Sequence, residues 1–340
     1  GKESSHFKTF PIGWRASGVA RGGGLALTRG MKIHFAARLF AAVVSGCAAF
    51  AVNAQTADFA PAAPRLQAVV ERAVAEARQQ FPKLQANQLA VTLVDLREAA
   101  APARGSYRGA EQIYPASVIK LFYLAAAHRW MEDGKLADSP ELRRAMSDMI
   151  VHSYNEATHY VLDVLTGTTS GPELPEAEIK VWFEQRNAVN RYFTALGYTG
   201  VNPNKKPWCE GPYGRETQAI KLLEPKRNAL TTDATARLMT EIVTRRCVSA
   251  PRCDEMLALL QRDPFSQAKD ADNQSKFTGS ALPAGAKLWS KAGWTSQTRH
   301  DAIYAELPNG KKCIVVIFTT DHANNREILR FIASRLTNGL

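Results

Sequence analysis

The chain has 340 residues, 45% hydrophobic and 22% charged, with 22 glycines and 17 prolines; this ordinary globular composition excludes a disordered, collagen-like or coiled-coil chain. Lys and Arg number 43 against 32 Asp and Glu, a net charge of +11 that raises nucleic acid as a partner, but seven of the basic groups and one acid fall in residues 1–54. Residues 55–340 therefore carry a net of only +5, too mild for a phosphate-binding surface, and no nucleic-acid partner is expected.

Residues 1–30 read as an unstructured upstream extension, in which Gly22-Gly23-Gly24 has no flanking strand or helix pattern and is no phosphate loop. From Met31 a basic start (Lys32, Arg38) precedes an apolar run that closes on Val52-Asn53-Ala54, the pattern of a secretory signal peptide over 31–54. Val44-Ser45-Gly46-Cys47 resembles a lipoprotein signal, a lesser alternative because the apolar stretch continues through Phe50 and Val52. The expected location is periplasmic or secreted. No later segment approaches the ~20 apolar residues of a membrane span. Export leaves Cys209, Cys247, Cys253 and Cys313 in an oxidising compartment. Cys247 and Cys253 flank a short loop that could close as a disulfide, leaving Cys209 with Cys313 unless Cys313 is a buried thiol. There is no CxxC pair and no HExxH helix, so neither metal nor cofactor is expected.

In the mature chain, Leu66, Val69, Val70, Ala73, Ala77 and Phe81 recur at helical spacing and predict an amphipathic helix over 64–81. A strand follows at Leu89 to Leu96. Residues 114–262 are almost wholly helical in pattern. Strands are predicted at Lys287 to Ser290, Ala302 to Leu307 and Cys313 to Thr319, with Pro308-Asn309-Gly310 as a hairpin turn, and Ile328, Leu329, Ile332 and Leu336 mark a last helix. The economical architecture is one α+β domain over 55–340, its sheet part about 60–113 and 284–340, with a helical part about 114–283 between.

Three short patterns could carry chemistry. Ser-x-x-Lys occurs at Ser5–Lys8, Ser266–Lys269 and Ser117–Lys120; the first lies in the leader and the second in a polar stretch. Around the third, Val118 to Ala127 is apolar or aromatic except for Lys120, which shares a helix face with Ser117. A lysine so surrounded must find a polar partner or lose its proton, the condition that makes an amine a usable base, unless it merely snorkels from a buried helix. Ser153-Tyr154-Asn155 lies in a helix-like run from Ser147 to Ala157, and Lys291-Ala292-Gly293 lies on the strand Leu288 to Trp294.

In this order the three patterns resemble the penicillin-recognising serine hydrolases, specifically class A β-lactamases, whose signatures are Ser-x-x-Lys, Ser-Asp-Asn and Lys-Thr-Gly. The similarity extends over residues 60–338 and implies a five-stranded antiparallel sheet with terminal helices beside an all-helical region. It implies Ser117 as the acylated nucleophile, Lys120 as its proton acceptor, Ser153 as proton shuttle to the leaving nitrogen, Asn155 as holder of the substrate amide and Lys291 as positive charge near the substrate carboxylate. The N–H groups of Ser117 and Trp294 would form the oxyanion hole, with Gly293 and Thr295 lining the substrate side.

Three positions depart from the family. Tyr154 replaces an acid; Ala292 replaces a hydroxyl residue that helps bind the β-lactam carboxylate, with Thr295, Ser296 and Arg299 as nearby substitutes; and no Glu-x-x-Leu-Asn string supplies the base that activates the hydrolytic water. Spacing back from Thr231-Thr232-Asp233-Ala234 makes Glu216 the first candidate, Glu210 the second, and Glu224 too close. Without a positioned base the acyl-enzyme would persist, as in a penicillin-binding protein. His152 and His159, seven apart on one helix face, suit packing better than metal binding, and His300 reads as an exposed hairpin-end residue within reach of substrate. The absence of Gly-x-Ser-x-Gly disfavours a nucleophile-elbow hydrolase. The expectation is a monomeric hydrolase of small β-lactams; the alternatives are a cell-wall D-Ala peptide or other amide/ester hydrolase, and a non-catalytic envelope-binding domain.

Overall fold

A computed structural model describes residues 59–208, 210–270 and 272–340; the leader expected at 31–54, the residues before it, Cys47 and any pairing of Cys209 lie outside these described residues. Helix α1 (Pro64–Gln80) opens with proline in its first turn, where a missing N–H forfeits no helical hydrogen bond, and turns Leu66, Val70, Ala73, Val74 and Ala77 inward. Strands β1 (Leu89–Asp95) and β2 (Ala103–Tyr107) follow as an antiparallel pair. The helical region comprises α2 (Lys120–Glu132), α3 (Pro140–Ser147), α4 (Asn155–Thr166), α5 (Glu176–Arg186), α6 (Ala188–Ala195), α7 (Gly214–Leu222), α8 (Thr232–Val243) and α9 (Ala250–Leu260). Strands β3 (Gln261–Arg262), β4 (Lys287–Trp294), β5 (Thr298–Glu306) and β6 (Lys312–Thr320) return to the sheet, and α10 (Glu327–Gly339) closes the chain.

The sheet is antiparallel, with order β2-β1-β6-β5-β4-β3. It has six strands where five were expected, because β3 adds a two-residue pairing of Gln261 with Trp289 and Arg262 with Leu288. So short a strand has no period to read. Alternation along the long strands gives the sheet two apolar faces. Leu89, Val91 and Leu93 of β1, Ile303 and Ala305 of β5 and Val315 and Ile317 of β6 pack with α1 and α10. Ala90, Val94, Ala302, Tyr304, Ile314, Val316 and Phe318 face the helical region. There α2 is buried nearly all round, from Lys120 to His128 and again at Met131, as its apolar sequence predicts.

One expected helix is broken. The run from Ser147 to Ala157 leaves α3 through a wide π turn at Asp148–His152; Ser153 then takes left-handed angles (φ 60°, ψ 31°), and α4 starts at Asn155. His152 and His159 therefore share no helix face. Cys247, Cys253 and Cys313 are free thiols, so the Cys247–Cys253 bridge considered above is not formed; Cys253 faces the core from α9. Among the described residues no helix is long and apolar enough to cross a membrane.

Candidate active site

The segment entering α2 is fixed from several sides. Ile113 exchanges both backbone hydrogen bonds with Leu230, at 2.9 and 3.0 Å. His300 Nδ1 accepts from Thr319 N at 3.1 Å, which leaves the ring proton on Nε2 to donate to Tyr114 O at 3.0 Å. Burial lowers the pKa of this imidazole to about 4, so it is neutral. His300 is thus wholly buried rather than an exposed hairpin-end residue, and it acts as a clamp. Ala116 takes φ 46°, and the half-buried Ser117 lies in the tight turn Ala116–Ile119 that feeds α2. β4 closes from the other side so tightly that a Cβ on Gly293 would lie 2.8 Å from both Pro115 O and Ser117 N.

Two backbone N–H groups border this contact. Ser117 lies in the first turn of its helix, where amides lack an intrahelical acceptor. On β4, Thr295 N donates to Thr298 O at 3.0 Å, and antiparallel alternation then turns the amide of Trp294 away from β5, toward the open strand edge. Two residues earlier the equivalent outward amide, Ala292 N, donates to Gln274 Oε1 at 3.2 Å.

The break at Ser153 gives Lys120 its partners. Lys120 Nζ donates to Ser153 O at 2.6 Å and Asn155 Oδ1 at 2.9 Å, with Ser153 Oγ at 3.3 Å and Tyr154 O at 3.4 Å. An uninterrupted helix would direct those carbonyls along its own axis; the left-handed Ser153 frees them, at a cost of roughly 1–2 kcal/mol. Lys291 Nζ donates to the same Ser153 Oγ at 2.9 Å, to Gln274 Oε1 at 2.8 Å and to Ala292 O at 2.9 Å. Burial first, then the charges of Lys120 and Arg262, hold Lys291 well below the usual lysine range, opposed by Asp301. Asp301 is buried, accepts from Thr278 Oγ1 (2.6 Å) and Ser290 Oγ (2.7 Å), and has its carboxyl pKa raised by that burial.

Ser117, Lys120, Ser153, Asn155, Lys291 and Gly293 are thus brought to one place. Gln274 joins them without having been singled out in the sequence: its amide nitrogen donates to Ile150 O (3.1 Å) and Val151 O (2.9 Å) while its oxygen holds Lys291. Arg262 Nη2 reaches the same Ile150 O at 2.8 Å. Trp294 is 37% exposed, with its ring 5.6 Å from Phe277. The Thr295 hydroxyl accepts from the amides of Gln297 and Thr298 within the hairpin turn. Ala292 points its methyl into the cluster beneath α10, and Arg299 is committed to Asp272 (2.6 Å) and Ala323 O (2.8 Å).

Glu216 lies in a different set of contacts. It is 1% exposed, paired with Arg186 through both oxygens (3.0 and 3.2 Å), with Lys206 Nζ at 3.4 Å and Ser170 Oγ at 2.9 Å. Arg186 and Lys206 also bind Asp163, at 2.8 and 2.7 Å. Glu210 is exposed, and Glu224 is an exposed partner of Lys226.

A sheet with terminal helices on one face, a helical region on the other and a serine–lysine cluster between them is the architecture of a β-lactamase-like hydrolase. Residues 137–339 match the family described as the Beta-lactamase enzyme family (Beta-lactamase2), and the chain belongs to it. That match includes Ser153, Asn155, Glu216 and Lys291 and begins downstream of Ser117 and Lys120. No curated protein matches the chain. In fold it is similar to a β-lactamase from Sphaerobacter thermophilus (19% identity, TM-score 0.56, covering 79% of this chain and 95% of that one). It is likewise similar to one from Chitinophaga pinensis (18%, 0.57, 79% and 97%). A third similar structure is a PBP-A mutant described as an acyl-enzyme complex with penicillin G (18%, 0.57, 80% and 96%).

Proposed function

We propose that this protein is an exported serine hydrolase that is acylated on Ser117 by β-lactams or related amides. The observation that carries the reading is Ser153 Oγ, set between two buried lysine nitrogens at 3.3 and 2.9 Å. Acyl transfer requires a proton to leave the Ser117 hydroxyl and another to reach the departing nitrogen, and this hydroxyl is placed to pass one between amines. In the proposed step Ser117 Oγ bonds to the carbonyl carbon as Lys120 takes its proton. The amides of Ser117 and Trp294 stabilise the oxyanion. The C–N bond then breaks, the nitrogen receives the Ser153 proton, and Ser153 is reprotonated from the lysine side. Burial and the charge of Lys120 disfavour two ammonium groups side by side; an arriving substrate carboxylate would restore the charge on Lys291 and leave Lys120 as the neutral amine that takes the proton. Asn155 and Lys291 would hold the substrate's amide and carboxylate, with Gly293 and Thr295 lining its path.

The Glu216 contacts favour a second reading of the later step. A carboxylate gripped through both oxygens by buried cations is poorly disposed to activate water, so the acyl-enzyme is expected to be long-lived. The natural substrate would then be a cell-wall D-Ala peptide or another amide or ester. Mass spectrometry after mixing with a chromogenic cephalosporin tests both: wild type is expected to gain one adduct, Ser117→Ala none, and Glu216→Gln to lose its adduct at the wild-type rate. Folded wild type showing neither adduct nor turnover would overturn the proposal, and an intact biological activity in Ser117→Ala would point instead to a non-catalytic envelope-binding domain.

A further inference from the structure

A cavity of about 530 Å³ begins beside the site, between Tyr114, three residues before Ser117, and the turn that follows Trp294. Its remaining walls are the chain ahead of α8, including Lys226 and Arg227, and the end of β6 at Thr320 and Asp321. Four basic residues line it against one acid, Asp321. Some of these charges are committed elsewhere. Lys206 binds Asp163 and Ser170 and Lys226 pairs with Glu224 at 3.1 Å, while Lys205 lies 4.4 Å over the Phe183 ring, its buried Nζ without a hydrogen-bond partner among the described residues and its pKa lowered by burial to about 8. Arg227 differs in being exposed: among the described residues its guanidinium makes no ion pair and no hydrogen bond, and its charge bears on the Tyr114 phenol, opposing the upward push of burial.

The support under Arg227 is rigid. The side chain of Asn202 donates to Arg227 O. The Asn228 amide accepts from Asn204 N (3.0 Å) and Lys205 N (2.8 Å) and donates to Lys205 O (2.7 Å). Across the cavity, Thr295 Oγ1 accepts two amides at 3.1 Å, so its own proton goes to Thr298 Oγ1, 3.1 Å away, and the Thr298 proton is left for an acceptor in the cavity. An uncommitted guanidinium on a fixed loop, facing a hydroxyl with a spare proton, is suited to a carboxylate.

We infer that this cavity is a subsite for a carboxylate borne on the acyl side of the substrate, held by Arg227 with help from Thr298. The inference rests on the reading of Ser117 as the acylated residue and names the class of amide the enzyme prefers. The test compares acylation by benzylpenicillin with that by its α-carboxy derivative, which adds one carboxylate to the side chain. Wild type is expected to react about tenfold faster with the carboxylated compound, the factor typical of one charge-assisted hydrogen-bonded contact, and added salt should shrink that ratio. In Arg227→Gln the ratio should fall to near one. An equal ratio in wild type and variant overturns the inference and leaves Ser117 acylation standing. If neither penicillin reacts, the acylation reading fails, and titration with phenylmalonate followed by NMR decides the subsite by itself. About tenfold weaker binding to Arg227→Gln than to wild type supports it; equal or no binding overturns it.

Discussion

Gly293 shows how one missing methyl can hold a site together. A Cβ there would meet Pro115 O, Ser117 N and Val118 N at 2.8 to 2.9 Å, all backbone atoms that cannot rotate aside. Gly293→Ala should therefore push β4 away from the Ser117 turn and separate the two amides. A displacement approaching 1 Å at a reacting centre is worth about a hundredfold in rate, so acylation by a chromogenic cephalosporin should fall by that order while circular dichroism stays native. Retention of the wild-type rate would mean that the amides do not act together. At this scale the sequence was legible where spacing is local: Ser117 with Lys120, and the strand order that puts Lys291 before Gly293. It was silent where a side chain reaches across the fold. Gln274 serves Lys291, Ala292, Ile150 and Val151 from a polar stretch without periodicity, and His300 reaches Tyr114 across 186 positions of sequence.

Elements were legible in proportion to their period. The long alternating strands and the near-continuous apolar α2 formed as expected, whereas β2 buries only its central glycine and β3 has two residues, too little pattern for either to show. The break at Ser153 was hidden because its determinant is Lys120, on another helix. The loops and helices from α4 to α7 are held in a comparable way, by charge. Arg186 of α5 is fully buried and ties Asp163 of α4, Glu216 of α7 and Thr168 together. Removing one partner of a buried pair exposes the unpaired charge to the full desolvation penalty, about 3–5 kcal/mol. Glu216→Ala should destabilise by that amount in urea unfolding, and the double variant Glu216→Leu with Arg186→Met should cost less than Glu216→Ala. A loss below about 1 kcal/mol for Glu216→Ala would place this network with exposed pairs instead.

On the scale of the whole molecule, buried histidines and buried carboxyls on helices and on the sheet set how the fold responds to acid. His128 on α2 and His300 on β5 are both buried, and burial lowers each to a pKa of about 4; for His128 the nearby Glu255, at 3.6 Å, does not reverse the shift. Unfolded histidine titrates near 6.5. Between these values the unfolded chain binds protons that the folded chain refuses. The stability each contributes is therefore complete above about pH 6.5, declines as pH falls, and is gone near pH 4. From pH 7 to 5 this amounts to on the order of 2 kcal/mol per histidine. Asp163 and Asp301, whose carboxyls burial raises, act in the opposite sense toward the acid end. His128 can be removed without touching the site, and neither of its ring nitrogens has a hydrogen-bond partner. His128→Leu should leave stability at pH 7 unchanged or higher, since an apolar group replaces two unsatisfied ring nitrogens. It should also remove about half of the acid-induced loss. Urea midpoints at pH 7 and pH 5 for wild type and variant measure the effect: the variant's advantage is expected to grow from pH 7 to pH 5, and a constant difference would show that His128 is protonated in the native fold.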